Sequence, residues 1–240
     1  PAVYFTASQS EKRCIISGDF RQLPPIVPTN NKEVEKLIGL NIFDHAGLEE
    51  QFEAGTNPDN ARVLTKQYRM DPKICDLVST IGYEGLLKTA PERASQSLPA
   101  LEGLNDSIII IDTSPFYPFC QRDPYNSTSN VTHALIARNC IRQLGKSINM
   151  GSVGYCAPFK AQTKLLKRMV DDDLDNPSAI GTVHTYQGDE KDTIIFDTVQ
   201  SLGEKYALSP SLSQELARHS QLLTVAVTRA KERLIFVANL

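Results

Sequence analysis

The stretch AIGTVHTYQGDEKDTIIFDTV, residues 179–199, sets two β-branched, nearly continuous apolar runs, AIGTV (179–183) and DTIIFDTV (192–199), around a short polar turn. Such runs suit strands covered on both faces, as in a parallel sheet, because a strand with one wet face would alternate apolar with polar residues. Comparable runs recur at RCIIS (13–17), ARVL (61–64), SIIII (107–111), SVGYC (152–156) and RLIFVAN (233–239). Helical patterns lie between them, at 72–81, 131–144, 160–170 and about 212–228. The alternation predicts an α/β fold with a doubly wound parallel sheet flanked by helices. Residues 89–106 and 112–129, rich in Pro, Ser, Asn and Asp, read as loops, and DDDLDNPS (171–178) as an acidic turn.

At 240 residues and 41% hydrophobic content the chain is long enough for a substantial core. A net charge of -3 and a pI near 5.9 exclude a generally basic nucleic-acid coat, so any phosphate binding must be local. The five cysteines are odd in number, widely spaced and mostly set in apolar runs, which points to reduced, packed thiols in an intracellular (cytoplasmic or nuclear) protein. No apolar stretch approaches the ~20 residues of a membrane span, so no membrane partner is expected. The Asn-x-Ser/Thr matches at Asn126 and Asn130 then read as accidental, and an opening at PAVYF without Met suggests a piece of a longer protein.

In open parallel sheets ligands gather beyond the carboxyl ends of the strands. After CIIS comes GDFRQLPP (18–25), where Gly18 permits a tight exit and Pro24-Pro25 stiffens the chain beyond Gln22. A rigid amide there can orient a water and sense a phosphate, although an ordinary turn with a surface Gln explains the same residues. After ARVL comes TKQYRMDP (65–72), with Asp71 as N-cap and Pro72 at the first helical position. Arg69 thus projects beside a helix N-terminus, which disfavours a cation unless an anion comes between. After SVGYC, the helix from Lys160 places Lys160, Lys164, Lys167 and Arg168 on one face, a stripe suited to a nucleic-acid backbone and equally to solvent. The turn HTYQGDEKD (184–192) crowds hydroxyl, imidazole, amide and carboxylate groups between two buried strands, a density that packing does not explain. His184 has no second His or Cys at ligand spacing, and no metal site is expected. Before the last strand, VAVTRAK (225–231) sets Arg229 between Ala226 and Ala230, on a helix able to approach the sheet closely. Gly145-Lys146-Ser147 imitates the end of a P-loop, but Cys140 stands where the motif needs glycine, and Gly145 reads as a helix C-cap.

Taken in order, these segments resemble the later motifs of superfamily 1 helicases, in the branch of the nonsense-mediated-decay RNA helicase and its DNA-translocating relatives. GDFRQLPP resembles motif III, QYRMDP motif IV, TVHTYQGDE motif V and VAVTRAK motif VI, with APFKAQ (157–162) similar to the segment between IV and V. The resemblance implies a RecA-like P-loop NTPase fold: residues 1–60 as the C-terminal remnant of a first RecA-like domain, and 61–240 as a second. It implies ATP and Mg²⁺ between the two domains and single-stranded DNA or RNA across them, tracked 5′ to 3′. Gln22 would sense the γ-phosphate and position water, and Arg69 and Arg229 would be arginine fingers. Tyr68, Gly188 and Glu190 would contact the nucleotide, and Pro158, Lys160, Thr182 and His184 would lie nearer the nucleic acid.

The sequence departs from the family pattern at His184, where an acidic residue is usual, at Thr224, where Asn is usual, and at His133, which often is Glu. Neither GxxxxGK[ST] nor a DEA-type Walker B sequence is present, so the Mg²⁺ ligands and most of the phosphate cradle are expected in a missing first domain of the same polypeptide. The chain alone is then expected to be inactive as an ATPase. A non-catalytic nucleic-acid-binding or scaffold module of the same fold is the competing reading. Presence of Gln22, Arg69, Glu190 and Arg229 favours the motor, because a scaffold needs none of them. A nuclease–helicase fusion would need a paired-carboxylate nuclease motif, which these residues lack.

Overall fold

The computed structural model describes residues 2–23, 31, 33–34, 39, 41–53, 56, 58–93, 103–170, 179–201 and 212–240. The Pro24-Pro25 pair and the DDDLDNPS turn lie outside them. The chain divides into two compact units, Pro1–Leu64 and Thr65–Leu240.

The first unit carries helices α1 (Ala2–Ser8), α2 (Ile42–His45) and α3 (Leu48–Glu53). Asn41 and Asp44 form a capping box on α2: the Asn41 side chain accepts the Asp44 N–H at 3.0 Å and Asp44 accepts the Asn41 N–H at 3.3 Å. The expected strand RCIIS does not form, and Ile15 is 96% exposed. A strand requires a neighbour for its ladder bonds and for burial, and no other described residue of this unit is in a strand. Cys14 is consequently exposed, whereas the other four cysteines are buried. Gly18 serves close approach, since a Cβ there would lie 2.5 Å from the Phe43 ring. Phe20 packs on Phe43 and stacks on Phe52 with ring centroids 6.4 Å apart in each pair.

At the end of the first unit the expected strand ARVL is also absent: 61–64 is irregular, with Val63 and Leu64 exposed. The strand falls later, at β1 (Lys66–Gln67), because its parallel partner β2 (Lys88–Thr89) lies opposite those two residues. Helix α4 (Pro72–Gly82) starts as read, with Asp71 accepting the Lys73 N–H at 2.9 Å and Pro72 at its start.

The main sheet has five parallel strands in the order β3-β9-β8-β6-β7. They are β3 (Ile108–Asp112), β6 (Val153–Ala157), β7 (Ile180–Thr182), β8 (Lys191–Asp197) and β9 (Ala230–Ala238). The three inner strands are buried along most of their length, as neighbours on both sides demand. SIIII lies on the edge strand β3, and Ile110 is exposed. Helices α5 (Val131–Gly145) and α6 (Lys160–Val170) pack together and bury Ala137, Ile141, Leu144, Leu166 and Val170 against Tyr155, Ile195, Ile235 and Val237. Helix α7 (Leu212–Val227) packs with α4 and contacts β8 and β9. Sequence and sheet agree on an α/β RecA-like fold, a parallel sheet flanked by helices.

Two local readings need correction. Segment 112–129 is ordered: a 3₁₀ turn (Ser114–Phe116) leads into an antiparallel hairpin of β4 (Cys120–Arg122) and β5 (Thr128–Asn130). Its turn closes because Asp123 accepts the N–H groups of Tyr125 at 2.9 Å and Ser127 at 2.8 Å, so the composition marked a turn without revealing the strands beside it. Gly145 is the last helical residue of α5, and Lys146 is the C-cap, in a right-handed conformation. The glycine instead leaves room for Met150, whose Sδ lies 3.2 Å from where a Cβ would stand.

Candidate functional site

One polar cluster sits at the starts of β8 and β9. Asp71 N–H donates to Lys231 O at 2.6 Å, fixing the QYRMDP turn to the beginning of β9. Gln67 shapes that turn: its Oε1 accepts the N–H of Arg69 at 2.8 Å and of Met70 at 2.7 Å, and its Nε2 donates to Met70 O and Thr89 Oγ1, each at 3.0 Å. Arg69 Nε then meets Glu190 Oε2 at 2.6 Å, while Lys231 Nζ lies 3.2 Å from Glu190 Oε1. The anion that Arg69 needs beside the start of α4 is therefore, in this structure, the Glu190 carboxylate. Burial alone would raise the Glu190 pKa, but the Lys231 hydrogen bond and the charges of Arg69 and Lys231 hold it below the usual value. Tyr68 is exposed beside Arg69, and Gly188, with φ of +97°, turns the chain just ahead of Glu190.

Arg229 is buried at the same end. Its Nε donates to Val225 O at 3.0 Å, Nη2 to Thr228 Oγ1 at 3.0 Å and Nη1 to Asp189 O at 3.3 Å. Burial, and next the charge of Arg69, lower its pKa below the ordinary arginine value. Two guanidinium groups held near each other at a partly desolvated end favour the arrival of a further anion.

Arg93, which no motif marked, braces the cluster. It donates from Nε to Arg69 O at 3.0 Å, from Nη2 to Lys231 O at 3.3 Å and pairs with Glu232 Oε1 at 2.6 Å. Arg93→Ala leaves Glu232, itself mostly buried, without this partner and is expected to cost about 2–3 kcal/mol in urea unfolding. Arg93→Lys should recover part of that loss, and a variant as stable as wild type would exclude the brace.

The second cluster occupies the opposite ends of the strands, about 20 Å away along the length of β8. Ala157, the last residue of β6, pairs with Thr182, the last of β7. Pro158, Lys160, Thr182 and His184 are thereby brought together, with Lys160 and His184 exposed. The 183–190 turn runs back to the start of β8, with Tyr186 buried beneath it and its hydroxyl donating to Ala179 O. The two groups of residues drawn from this one turn therefore serve different ends of the sheet. On α6, Lys160, Lys164 and Arg168 are exposed, and Lys167 is half-buried.

Behind this second end lies a fully buried polar network. Asp197, the last residue of β8, accepts from Tyr155 Oη at 2.6 Å, Gln162 Nε2 at 2.8 Å and the Val199 N–H at 2.7 Å, and its Oδ1 lies 2.8 Å from His133 Nδ1. Thr113 donates its hydroxyl to Ala238 O at 3.1 Å, and its Oγ1 lies 2.9 Å from His133 Nε2. Burial, then the Asp197 charge, push the Tyr155 hydroxyl pKa well up. Val199, buried with φ of +65°, is held in that strained conformation by Asp197 and by Asn130, whose Nδ2 donates to Val199 O at 3.1 Å. His133, marked by sequence only as an unusual residue, thus links Asp197 to Thr113 within the network.

Gln22 belongs to the first unit, half-buried, with its Nε2 donating to Asp19 Oδ2 at 2.8 Å. Thr224 lies buried against Gly82 of α4. Among the described residues no three His, Cys, Asp or Glu side chains group as metal ligands, and no helix is long and apolar enough to cross a membrane.

A family model described as an AAA domain matches residues 43–240. The chain is 28% identical over 246 residues to the DNA polymerase alpha-associated DNA helicase A of Saccharomyces cerevisiae, covering 95% of this chain and 34% of that protein. It is 27% identical over 253 residues to the DNA replication ATP-dependent helicase/nuclease DNA2 of Mus musculus, covering 95% and 22%. Identity is also 27%, over 238 residues, to the DNA-binding protein SMUBP-2 of Mesocricetus auratus, covering 95% and 22%. The chain therefore spans no more than about a third of the length of these relatives.

Proposed function

The chain belongs to the AAA domain family, as a C-terminal region of the superfamily 1 helicase core, and we propose that it supplies the second motor domain of an intracellular ATP-dependent helicase or translocase. Residues 61–240 are that domain, and 1–60 the C-terminal remnant of the first. The carrying observation is the gathering of Arg69, Glu190 and Arg229 at one end of the sheet, charged and partly desolvated, from three segments far apart in the chain.

In this reading the nucleotide's γ-phosphate takes the place of the Glu190 carboxylate on Arg69. Arg229 gives up its weakest bond, to Asp189 O, and both guanidinium groups stabilise the charge on the transferring phosphoryl. Tyr68, Gly188 and Glu190 contact the rest of the nucleotide, and Gln22 positions water. Mg²⁺, which neutralises phosphate charge when bound, is assigned to none of the described residues. Pro158, Lys160, Thr182 and His184 grip single-stranded DNA or RNA at the other end of the sheet.

The test is ATP hydrolysis. The full-length protein is expected to be stimulated by single-stranded nucleic acid, and parallel assays with DNA and RNA identify the track. Residues 1–240 alone are expected to turn over negligibly, because the P-loop lysine is absent from them. Full turnover by residues 1–240 would overturn this assignment of parts.

A further inference from the structure

Six aromatic side chains are exposed among the described residues, and four of them fall within ten residues of the hairpin segment: Phe116 (65%), Tyr117 (81%), Phe119 (59%) and Tyr125 (90%). Nothing in the motor reading uses them. Exposed rings in such density cost solvation free energy without stabilising the fold, which marks a binding surface.

The segment is rigidly mounted. Ser127 Oγ accepts the Ala161 N–H at 2.8 Å, tying the Tyr125 turn to the first residues of α6. At the other end of the hairpin the Gln162 side chain clamps Asn130, accepting its N–H at 2.7 Å and donating to its carbonyl at 3.1 Å. Gln162 is itself held by Asp197, so the buried network fixes the hairpin against α6. That clamp sets the aromatic segment next to a helix whose exposed face carries Lys160, Lys164 and Arg168.

The two nearby acids are used internally. Asp112 accepts from Ser114 N–H, Ser114 Oγ and Leu240 N–H, and Asp123 closes the hairpin turn. The outward chemistry is therefore four ring faces beside a row of cations, with the Asp112 carboxylate exposed at the start of the segment. That combination suits a single strand, whose bases stack while its phosphates meet the lysines. The core of a protein interface is, by contrast, depleted of charge.

We propose that the Phe116–Tyr125 segment is a base-stacking platform for single-stranded nucleic acid, working beside the cationic face of α6. The proposal rests on the nucleic-acid reading above and extends the contact surface beyond Pro158, Lys160, Thr182 and His184.

The test compares the 240-residue chain binding a thymidylate strand, a uridylate strand and an abasic deoxyribose-phosphate strand, each of about 20 nucleotides, by fluorescence anisotropy. Strands with bases are expected to bind at least ~10-fold tighter than the abasic one. The double variant Phe116→Ala, Tyr125→Ala should bind all three at the abasic level, with an unchanged salt slope, since no phosphate contact is removed. Lys164→Ala with Arg168→Ala should weaken all three strands together and flatten the slope. Equal wild-type affinity for base-bearing and abasic strands overturns the platform alone. A preference that survives the aromatic variant, with self-association lost instead, assigns the surface to protein docking and likewise overturns it. Failure to bind any strand removes the nucleic-acid reading as well. The relative affinities for thymidylate and uridylate assign the platform to DNA or RNA.

Discussion

Replacing Arg229 by Ala is expected to lower the nucleic-acid-stimulated ATP turnover of the full-length protein by ~10³-fold or more, the scale set by rigid arginines at a transferring phosphoryl group. Arg229 has a structural as well as a chemical role here, because three hydrogen bonds tie it to Val225, Thr228 and Asp189. Thermal unfolding of the variant must therefore accompany the kinetics. Arg229→Lys separates the two contributions: it keeps a cation at the start of β9 but loses the planar fork, so turnover should stay low. Affinity for ATP should change far less than turnover, as befits a contact made chiefly in the transition state. A variant that folds and turns over normally removes Arg229 from the mechanism.

The largest effect on stability is expected at Asp197. Its carboxylate is the shared acceptor for Tyr155, Gln162 and the Val199 N–H, and the partner of His133, all out of reach of water. Asp197→Ala strands those donors in the interior and should cost about 3 kcal/mol or more in urea unfolding, at about 1–3 kcal/mol for each buried group left unsatisfied. Asp197→Asn preserves the shape but turns an NH₂ group toward one of the donors, so it should recover little of the loss. Hydrogen exchange gives a second measurement. Amides of β4 and β5 should lose protection more than those of α4, because Gln162 and Asn130 connect the network to the hairpin and not to that helix. A cost below about 1 kcal/mol would show that the donors find water instead, and that the network does not anchor the hairpin.

Sequence located all five strands of the main sheet, the edge strands β3 and β7 to within one residue at each end. β6, β8 and β9 are apolar on both faces because neighbours on both sides and helices above and below make any polar side chain costly there. RCIIS and ARVL carry the same composition yet form no strand, since a strand depends on a partner as much as on its own residues. The hairpin between β3 and α5 stayed hidden for a related reason. Its strands are three residues each and polar apart from Cys120, and the clamp from Gln162 holds them in place.

At the candidate sites the motifs identified residue types, and their local turn chemistry was legible: Asp71 as N-cap and Pro72 at the start of α4 follow from the sequence alone. What tertiary structure alone decided is which groups meet. Arg69 and Glu190, far apart in the chain, form an ion pair because β8 and β9 are adjacent and parallel, so their starts coincide. The same parallel order carries Thr182 and Pro158 to the other end. Arg93 gave no motif signal and His133 only a departure from the family pattern, because bracing a neighbour or joining a buried network needs no fixed spacing in sequence. Periodicity and turn residues report what a segment contributes locally. Partners separated by a hundred residues or more are chosen by sheet order and helix packing, which only the folded chain contains.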